Sequence, residues 1–372
     1  MRYIITEKQY KDLNEVVGVP TNITEIARQL YDKIMSGINP NTKLRYFFGN
    51  PIVLKGDFQI NNYKFDTIEL DFDVNSLDNY DVDGEKEKVY ILGMSQRSTV
   101  KMTDNFNYTL NQDTDKIDLR IKLAVDDDIT AQDVIDKLTK DRVRIISSLA
   151  HEIKHGYDEF IKPVSKTDKR VEYQIGGDQG FANIEPLNKL ISYMYFAHTT
   201  ENLVRATELS AVLEEEGITK EDFYKFITNY DVYKIYRDGA NISYEGLRSD
   251  LKELIPQIKR VLEINDIDYD DDASDDEIIN LILFTFFDTL KNWRSGFMKR
   301  FLIQTEMEHL FGFEGDKKRY FDRYISKINR FGDDYKKFIK YEINQTRNIC
   351  LKMMKKLSKL YSLLKEKNNP LS

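Results

Sequence analysis

Two histidines that flank a glutamate, in the segment HEIKH, are the residues of this chain best suited to chemistry. His151 and His155 are two of only four histidines. Residues four apart lie on one face of a helix, so both imidazoles can bind one Zn²⁺ ion. Glu152 lies about 100° further around the helix axis, where it can act as general base towards a water molecule that the metal activates. The HExxH pattern therefore predicts a zinc-dependent hydrolytic site.

A catalytic zinc ion needs a third protein ligand and one open coordination position. The other two histidines, His198 and His309, do not follow the motif at the short spacing of enzymes with three histidine ligands. Glu201 and Glu208 lie on one predicted helix, and because they are seven residues apart they share a face. Either carboxylate is a candidate ligand, and the other would then accept a hydrogen bond from a ligand histidine.

The motif HEIKHGYD and a second block, YFAHTTENLVRA, resemble the zincin metallopeptidases that use a glutamate as third ligand, in particular the lethal-factor-like branch. In that branch the second block reads tyrosine, a few residues, and then Glu-x-x-Ala, a charged residue and Ala. Its distance from the motif is close to the 46 residues between His155 and Glu201. Val204 replaces the first alanine. The resemblance covers about residues 141–216 and implies a zincin-like fold with Zn²⁺ bound by His151, His155 and Glu201.

The same resemblance implies that a tyrosine stabilises the oxyanion of the tetrahedral intermediate. Tyr195 comes closest to the expected position, offset by about one residue. A place in the core is the alternative for this side chain, since the chain has 23 tyrosines. The expected reaction is hydrolysis of a peptide or protein substrate, in which Glu152 takes a proton from the attacking water and passes it to the leaving amine.

Two other functions are compatible with the motif. One is a non-catalytic structural or interaction protein, such as a phage virion component or a host-targeting factor, that keeps the zincin fold. The other is a helical adaptor with a chance HExxH match, in which Glu201 and Glu208 would lie far from the histidines. Retention of His151, Glu152 and His155 favours the enzyme.

Hydrophobic periodicity predicts an α+β fold in three parts. Residues 1–40 contain a short strand and small helices, residues 41–216 form the zincin-like metallopeptidase domain, and residues 217–372 form an all-α C-terminal domain. Between 43 and 125, short runs rich in β-branched and aromatic residues, among them Leu44–Phe48, predict a mostly antiparallel sheet of five or six strands. Active-site helices follow this sheet.

Helices are predicted from Thr130 onwards. Thr130 is the expected N-cap of the first helix, with Asp133 three residues on. The second helix, roughly Asp141 to Ile161, carries the HExxH motif, and Lys154 within it would have to reach the surface. In the C-terminal domain the acidic stretch Asp266 to Glu277 predicts an exposed loop.

The net charge of −8 over 372 residues gives no general reason to expect nucleic acid as a partner. Residues 317–372 differ, because 16 Lys and Arg against 5 Asp and Glu give them a net charge of +11. We interpret this region as the solvated face of amphipathic helices. The alternative is a docking surface for an acidic partner, such as the chain's own Asp-rich loop.

The sequence contains no apolar run long enough for a transmembrane helix, and the N-terminus MRYIITEKQYKDL lacks the apolar core of a signal peptide. That N-terminus also resembles the start of many proteins from tailed phages. The single cysteine, Cys350, excludes an internal disulfide and is expected to fill the apolar face of a helix. We therefore expect a soluble protein with no membrane partner, located in the cytoplasm or in a phage virion.

Overall fold

A computed structural model describes most of the chain. The N-terminal segment with its predicted strand, His198, His309 and most of the polar loop that follows the HExxH helix lie outside the described residues. Much of the basic C-terminal region lies outside them as well. The described residues are 22–60, 63–79, 87–96, 100–102, 108–110, 116–161, 180–197, 199–306 and 330–364.

The fold is mixed α and β. The strands are β1 (Ile52–Ile60), β2 (Tyr63–Ser76), β3 (Val89–Gln96), β4 (Val100–Met102), β5 (Tyr108–Leu110) and β6 (Lys116–Val125). The helices are α1 (Ile23–Ser36), α2 (Leu44–Gly49), α3 (Ala131–Lys140), α4 (Arg142–Ile161), α5 (Glu185–Phe196), α6 (Thr199–Glu215), α7 (Lys220–Asn229), α8 (Asp231–Asn241), α9 (Tyr244–Lys252), α10 (Ile255–Ile264), α11 (Asp275–Glu306) and α12 (Tyr335–Ser358). Among the described residues beyond Gly217 there are helices but no strand.

The described chain divides into two compact units. Unit 1 takes its described residues from Met1–Pro163, Leu203–Phe226 and Lys359–Ser372, and unit 2 takes its own from Val164–Asn202 and Ile227–Ser358. The divisions after residues 202 and 226 fall inside the continuous helices α6 and α7. The domain limits expected from the sequence stay a prediction.

Unit 1 is built on a four-stranded sheet with the strand order β1-β2-β6-β3. β1 is antiparallel to β2 and β3 is antiparallel to β6, but β2 and β6 are parallel, with Ile68 opposite Ile117. Strands β4 and β5 form a separate antiparallel pair. A largely antiparallel sheet is therefore present where it was expected, but the six described strands divide into a sheet of four and a pair, and the central pairing is parallel.

Helix α4, which carries HExxH, packs against this sheet. Strand β6 alternates buried apolar and more exposed polar side chains, as expected of a sheet with one covered face. Its buried residues share one core with the apolar side of α4, to which Ile145, Leu149 and Ile153 belong. At Gly156 the approach is closest, since a β-carbon there would lie 2.8 Å from the Cγ2 atom of Ile117. The histidines are thus carried on a helix that is fixed on the sheet.

The helix before α4 begins as predicted. The Thr130 hydroxyl accepts a hydrogen bond from the backbone N–H of Asp133, and the Asp133 carboxylate accepts one from the backbone N–H of Thr130. This reciprocal pair satisfies two donors that the first turn of α3 would otherwise leave open. Aspartate therefore takes the place of the more usual glutamate or glutamine in a capping box.

The strand predicted at Leu44–Phe48 is wrong, because these residues form the short helix α2. A strand would direct Phe47 and Phe48 to opposite faces. One helical turn instead brings both rings against Phe72 of β2, with centroid distances of 5.2 and 5.4 Å. Aromatic packing in the folded chain thus overrides the β-propensity of the segment.

Unit 2 has a helical core of its own, in which Phe286, Phe287 and Phe338 are almost fully buried. The predicted acidic loop joins α10 to α11, and its last residues form the exposed first turn of α11. Cys350 is fully buried on α12, as expected, and burial raises the pKa of its thiol to about 12. Within the part of the chain that the structure describes, no helix combines the length and the apolar character needed to cross a membrane.

Candidate metal centre

Helices α4 and α6 bring together the three residues that the sequence proposed as metal ligands. His151 and His155 lie one turn apart on α4, and Glu201 lies in the first turn of α6. One ligand atom from each side chain lies within 4.8 Å of the other two. All three residues are buried, with 6%, 8% and 1% of their surface exposed. This group can hold a metal ion.

The Nε2 atoms of the two imidazole rings face each other. The distance from Nε2 of His151 to Nε2 of His155 is 3.1 Å, and the rings are inclined at 75°. Two nitrogen ligands on a tetrahedral zinc ion, each about 2.0–2.1 Å from the metal, would lie about 3.3 Å apart. The spacing of the two nitrogens and the chemistry of the set, two imidazoles and a carboxylate, are therefore compatible with a bound metal ion such as Zn²⁺.

Glu208 lies on the other side of His151. Its Oε2 atom is 2.9 Å from Nδ1 of the imidazole, the nitrogen that does not face His155. The two carboxylates between which the sequence did not decide are thus placed differently. Glu201 joins the group of potential ligands, whereas Glu208 contacts the nitrogen of His151 that faces away from the group, as outer partners of metal-binding histidines commonly do.

Arg205, which was not singled out from the sequence, contacts Glu208. Its Nη1 atom donates a hydrogen bond of 2.6 Å to the same Oε2 atom. Burial raises the pKa of the Glu208 carboxyl, but the charge of Arg205 and the hydrogen bond with His151 outweigh it and lower the pKa to about 2. The carboxylate is therefore ionised at neutral pH in spite of its burial.

The two predicted catalytic side chains lie beside the group of potential ligands. The Oε1 atom of Glu152 is 3.8 Å from Nε2 of His151, and the side chain is 13% exposed. The Tyr195 hydroxyl, at the end of α5, donates a hydrogen bond of 3.2 Å to Oε1 of Glu201. Glu152 is therefore near the potential ligands without being one of them, and Tyr195 contacts the carboxylate of a potential ligand, Glu201.

A third glutamate on α6 continues the spacing of the first two. Glu215 lies seven residues after Glu208 and accepts hydrogen bonds from Arg28 of α1 and Arg142 of α4. Since Arg142 begins α4 while Glu215 ends α6, the two helices run antiparallel along a line of charged contacts. The seven-residue spacing of the three glutamates was visible in the sequence and is the signal that could have found Glu215.

The expectation that Lys154 reaches the surface is wrong. The residue is only 3% exposed, and its Nζ atom lies 5.3 Å from the centroid of the Tyr157 ring. An ammonium group over an aromatic face gains cation–π attraction, which offsets part of the cost of burial. The side of α4 that holds the histidines is therefore covered even where the motif carries a charge.

No protein family, curated protein or solved structure matches the chain. The resemblance to the glutamate-liganded zincins depends on HExxH and the second block, and membership of that fold group stays a prediction. The described geometry is independent of this resemblance, since it follows from the positions of side chains on α4 and α6.

Proposed function

We propose that the chain is a zinc-dependent metallopeptidase in which His151, His155 and Glu201 hold the metal. The supporting observation is the convergence of three buried donors within 4.8 Å, although 46 residues separate His155 from Glu201 in the sequence. A chance HExxH match on an exposed helix would bring neither burial nor a carboxylate from a second helix. Mixed imidazole and carboxylate donors with an open position are typical of catalytic rather than structural zinc sites.

When bound, zinc would supply Lewis-acid activation of a water molecule and of the scissile carbonyl group. Glu152 would take a proton from the attacking water on its carboxylate and deliver it to the leaving amine. Its position supports this role, because Oε1 lies close to the ligand nitrogen of His151 but outside the group of ligands. The low exposure of Glu152 would also limit the exchange of this proton with bulk water.

Tyr195 is the proposed donor to the carbonyl oxygen as negative charge develops on it. Its hydroxyl donates a hydrogen bond to Oε1 of Glu201. We propose that the hydroxyl exchanges this acceptor for the oxygen of a bound peptide or protein substrate. The contact with Glu201 supports the role, because it holds the hydroxyl beside the ligand group before substrate arrives.

Metal analysis of the purified protein and of its Glu152→Gln variant, each also assayed on a broad peptide library, tests this proposal. We expect about one zinc ion per chain in both proteins and cleavage by the wild type alone. Absence of stoichiometric metal from the wild type would refute the metallopeptidase. Zinc in both proteins with cleavage by neither would instead favour a non-catalytic protein that keeps a metal centre.

A further inference from the structure

On the basis of the metal centre proposed above, we propose that Arg205 is a positioning residue which acts through Glu208 to hold His151 in the tautomer that binds metal. The three side chains form a short line from α6 to α4. Arg205 and Glu208 lie three residues apart on α6, so they are neighbours on its surface, and Glu208 reaches across to His151.

One oxygen atom carries both contacts. The Oε2 atom of Glu208 is 2.6 Å from Nη1 of Arg205 and 2.9 Å from Nδ1 of His151. A guanidinium group can only donate hydrogen bonds, so Arg205 fixes this oxygen as an acceptor. The same oxygen then accepts from the imidazole as well, which means that the ring proton of His151 is on Nδ1.

This tautomer decides what His151 presents on its other side. A neutral imidazole with its proton on Nδ1 carries a lone pair on Nε2. Nε2 is the atom that lies 3.1 Å from Nε2 of His155 and belongs to the side of the ring facing the potential ligands. A proton on Nε2 would instead occupy the position from which the nitrogen must bind metal, because only the unprotonated nitrogen is a ligand.

Because the three side chains are mostly buried, the hydrogen bond that Arg205 donates to Glu208 is not easily replaced by one from water. The side chains of Arg205, Glu208 and His151 are 19%, 14% and 8% exposed, which leaves water little access to replace a lost donor. Replacement of Arg205 removes the charged donor whose hydrogen bond orients this carboxylate oxygen towards His151. The Oε2 atom could then turn away from Nδ1, and His151 would lose the acceptor that selects the Nδ1–H form.

The tautomer of His151 can be read directly from ¹⁵N NMR spectra of the metal-free protein, since the chain has only four histidines. Zinc affinity is measured in parallel by competition with a chelator. In Arg205→Met we expect loss of the pure Nδ1–H form and zinc binding about 10–100-fold weaker. Arg205→Lys, which keeps a charged donor, should restore most of both properties.

Arg28→Met is the matched control, because Arg28 binds the last glutamate of the same helix face, Glu215, and does not contact His151. It should leave tautomer and affinity as in the wild type, even if stability falls. A wild-type tautomer with wild-type affinity in Arg205→Met would overturn the inference, as would Nε2–H as the main form in the wild type. If Arg205→Met does not fold, the comparison of Arg205→Lys with Arg205→Gln decides, with weaker binding expected for glutamine.

These outcomes are separable from failure of the proposed function. If the wild-type protein binds no zinc, the metallopeptidase proposal fails. The tautomer of His151 in the metal-free protein still tests whether Arg205 orients Glu208 and through it the imidazole. If zinc binds without any peptide cleavage, the effect of Arg205 on affinity is unaffected by that result.

Discussion

The backbone of Gly156 lies so close to Ile117 of β6 that a β-carbon at residue 156 would be 2.8 Å from the Cγ2 atom of Ile117. Gly156 directly follows His155, so the point of closest approach between helix and sheet is next to a proposed ligand. Since Cγ2 is attached to the β-carbon of Ile117, it cannot move aside as the end of a long side chain can. The position of His155 therefore depends on the absence of a side chain at residue 156.

We predict that Gly156→Ala destabilises the protein and weakens zinc binding. Alanine gains about 1 kcal/mol over glycine within a helix, but overpacking of a core costs about 1–3 kcal/mol. The expected result is a net loss of up to about 2 kcal/mol in the free energy of unfolding, measured with urea. Gly49→Ala is the control, because a β-carbon at Gly49 meets no atom within 4 Å. A gain in stability of about 1 kcal/mol in Gly156→Ala, as alanine gives over glycine in an uncrowded helix, would contradict the close packing.

The two carboxylates of α6 should differ in their effect on metal content. Glu201→Ala removes a proposed ligand, so we expect the purified variant to retain no stoichiometric zinc. Glu208→Ala removes the partner of Nδ1 of His151 and should weaken binding by about 10–100-fold. Glu214→Ala, a more exposed position on the same helix, should bind zinc like the wild type. Our assignment of the third ligand is wrong if only the variant at residue 208 loses its metal.

Tyr195→Phe tests the proposed stabilisation of the oxyanion. Loss of one such donor typically lowers kcat by about 10²–10³-fold, and KM and zinc content should change little. The measurement is steady-state cleavage of whichever peptide the wild type accepts. Tyr193→Phe, on the same helix, provides the control and should keep the wild-type kcat. Similar kcat values for Tyr195→Phe and the wild type would leave the hydroxyl with a structural role only.

An ion pair near β3 should make stability depend on pH in acid. Hydrogen bonds from Lys137 and Lys140 of α3 lower the pKa of the Glu87 carboxyl from 4.5 to about 2. Because the pKa is lowered by folding, the stabilisation is complete above about pH 4.5 and is lost as the pH falls towards 2. The carboxylate is 32% exposed, so screening by water limits the effect to no more than about 1 kcal/mol.

The comparison of wild type with Glu87→Gln checks this dependence. Urea unfolding at pH 7 should show the variant to be less stable, and the difference should shrink as the pH approaches 2. Asp127→Asn, in the exposed turn after β6, should show no such trend. A difference that is constant between pH 7 and pH 2 would argue against the ion pair as its cause.

The parts of the fold that the sequence predicted are those with a local signal. The cap at Thr130 and the run rich in β-branched residues that forms β6 are properties of short segments, and both the cap and the strand are present in the structure. The parallel pairing of β2 with β6 depends on strands far apart in the chain, for which a local pattern has no information. The prediction for α2 was wrong for the same reason. Its aromatic side chains pack against Phe72 of β2, a contact that the local sequence does not reveal.

The candidate site shows the same division. The shared helix face of His151 and His155 follows from their spacing, and so does that of Glu201 and Glu208. Which carboxylate joins the histidines depends on the register of α6 against α4, a tertiary property that spacing does not fix. Arg205 could not be found from the sequence, since its role exists only where Glu208 meets His151.

The sequence separations within the candidate metal centre also have a kinetic consequence. The histidines are a local pair, which forms as soon as α4 forms, whereas Glu201 is a distant partner that joins only when α6 docks. Contacts between distant segments form late, because the intervening chain must first lose its conformational freedom. A nascent chain would therefore hold two donors before it holds three, so the proposed zinc site would be completed only after α6 has docked on α4.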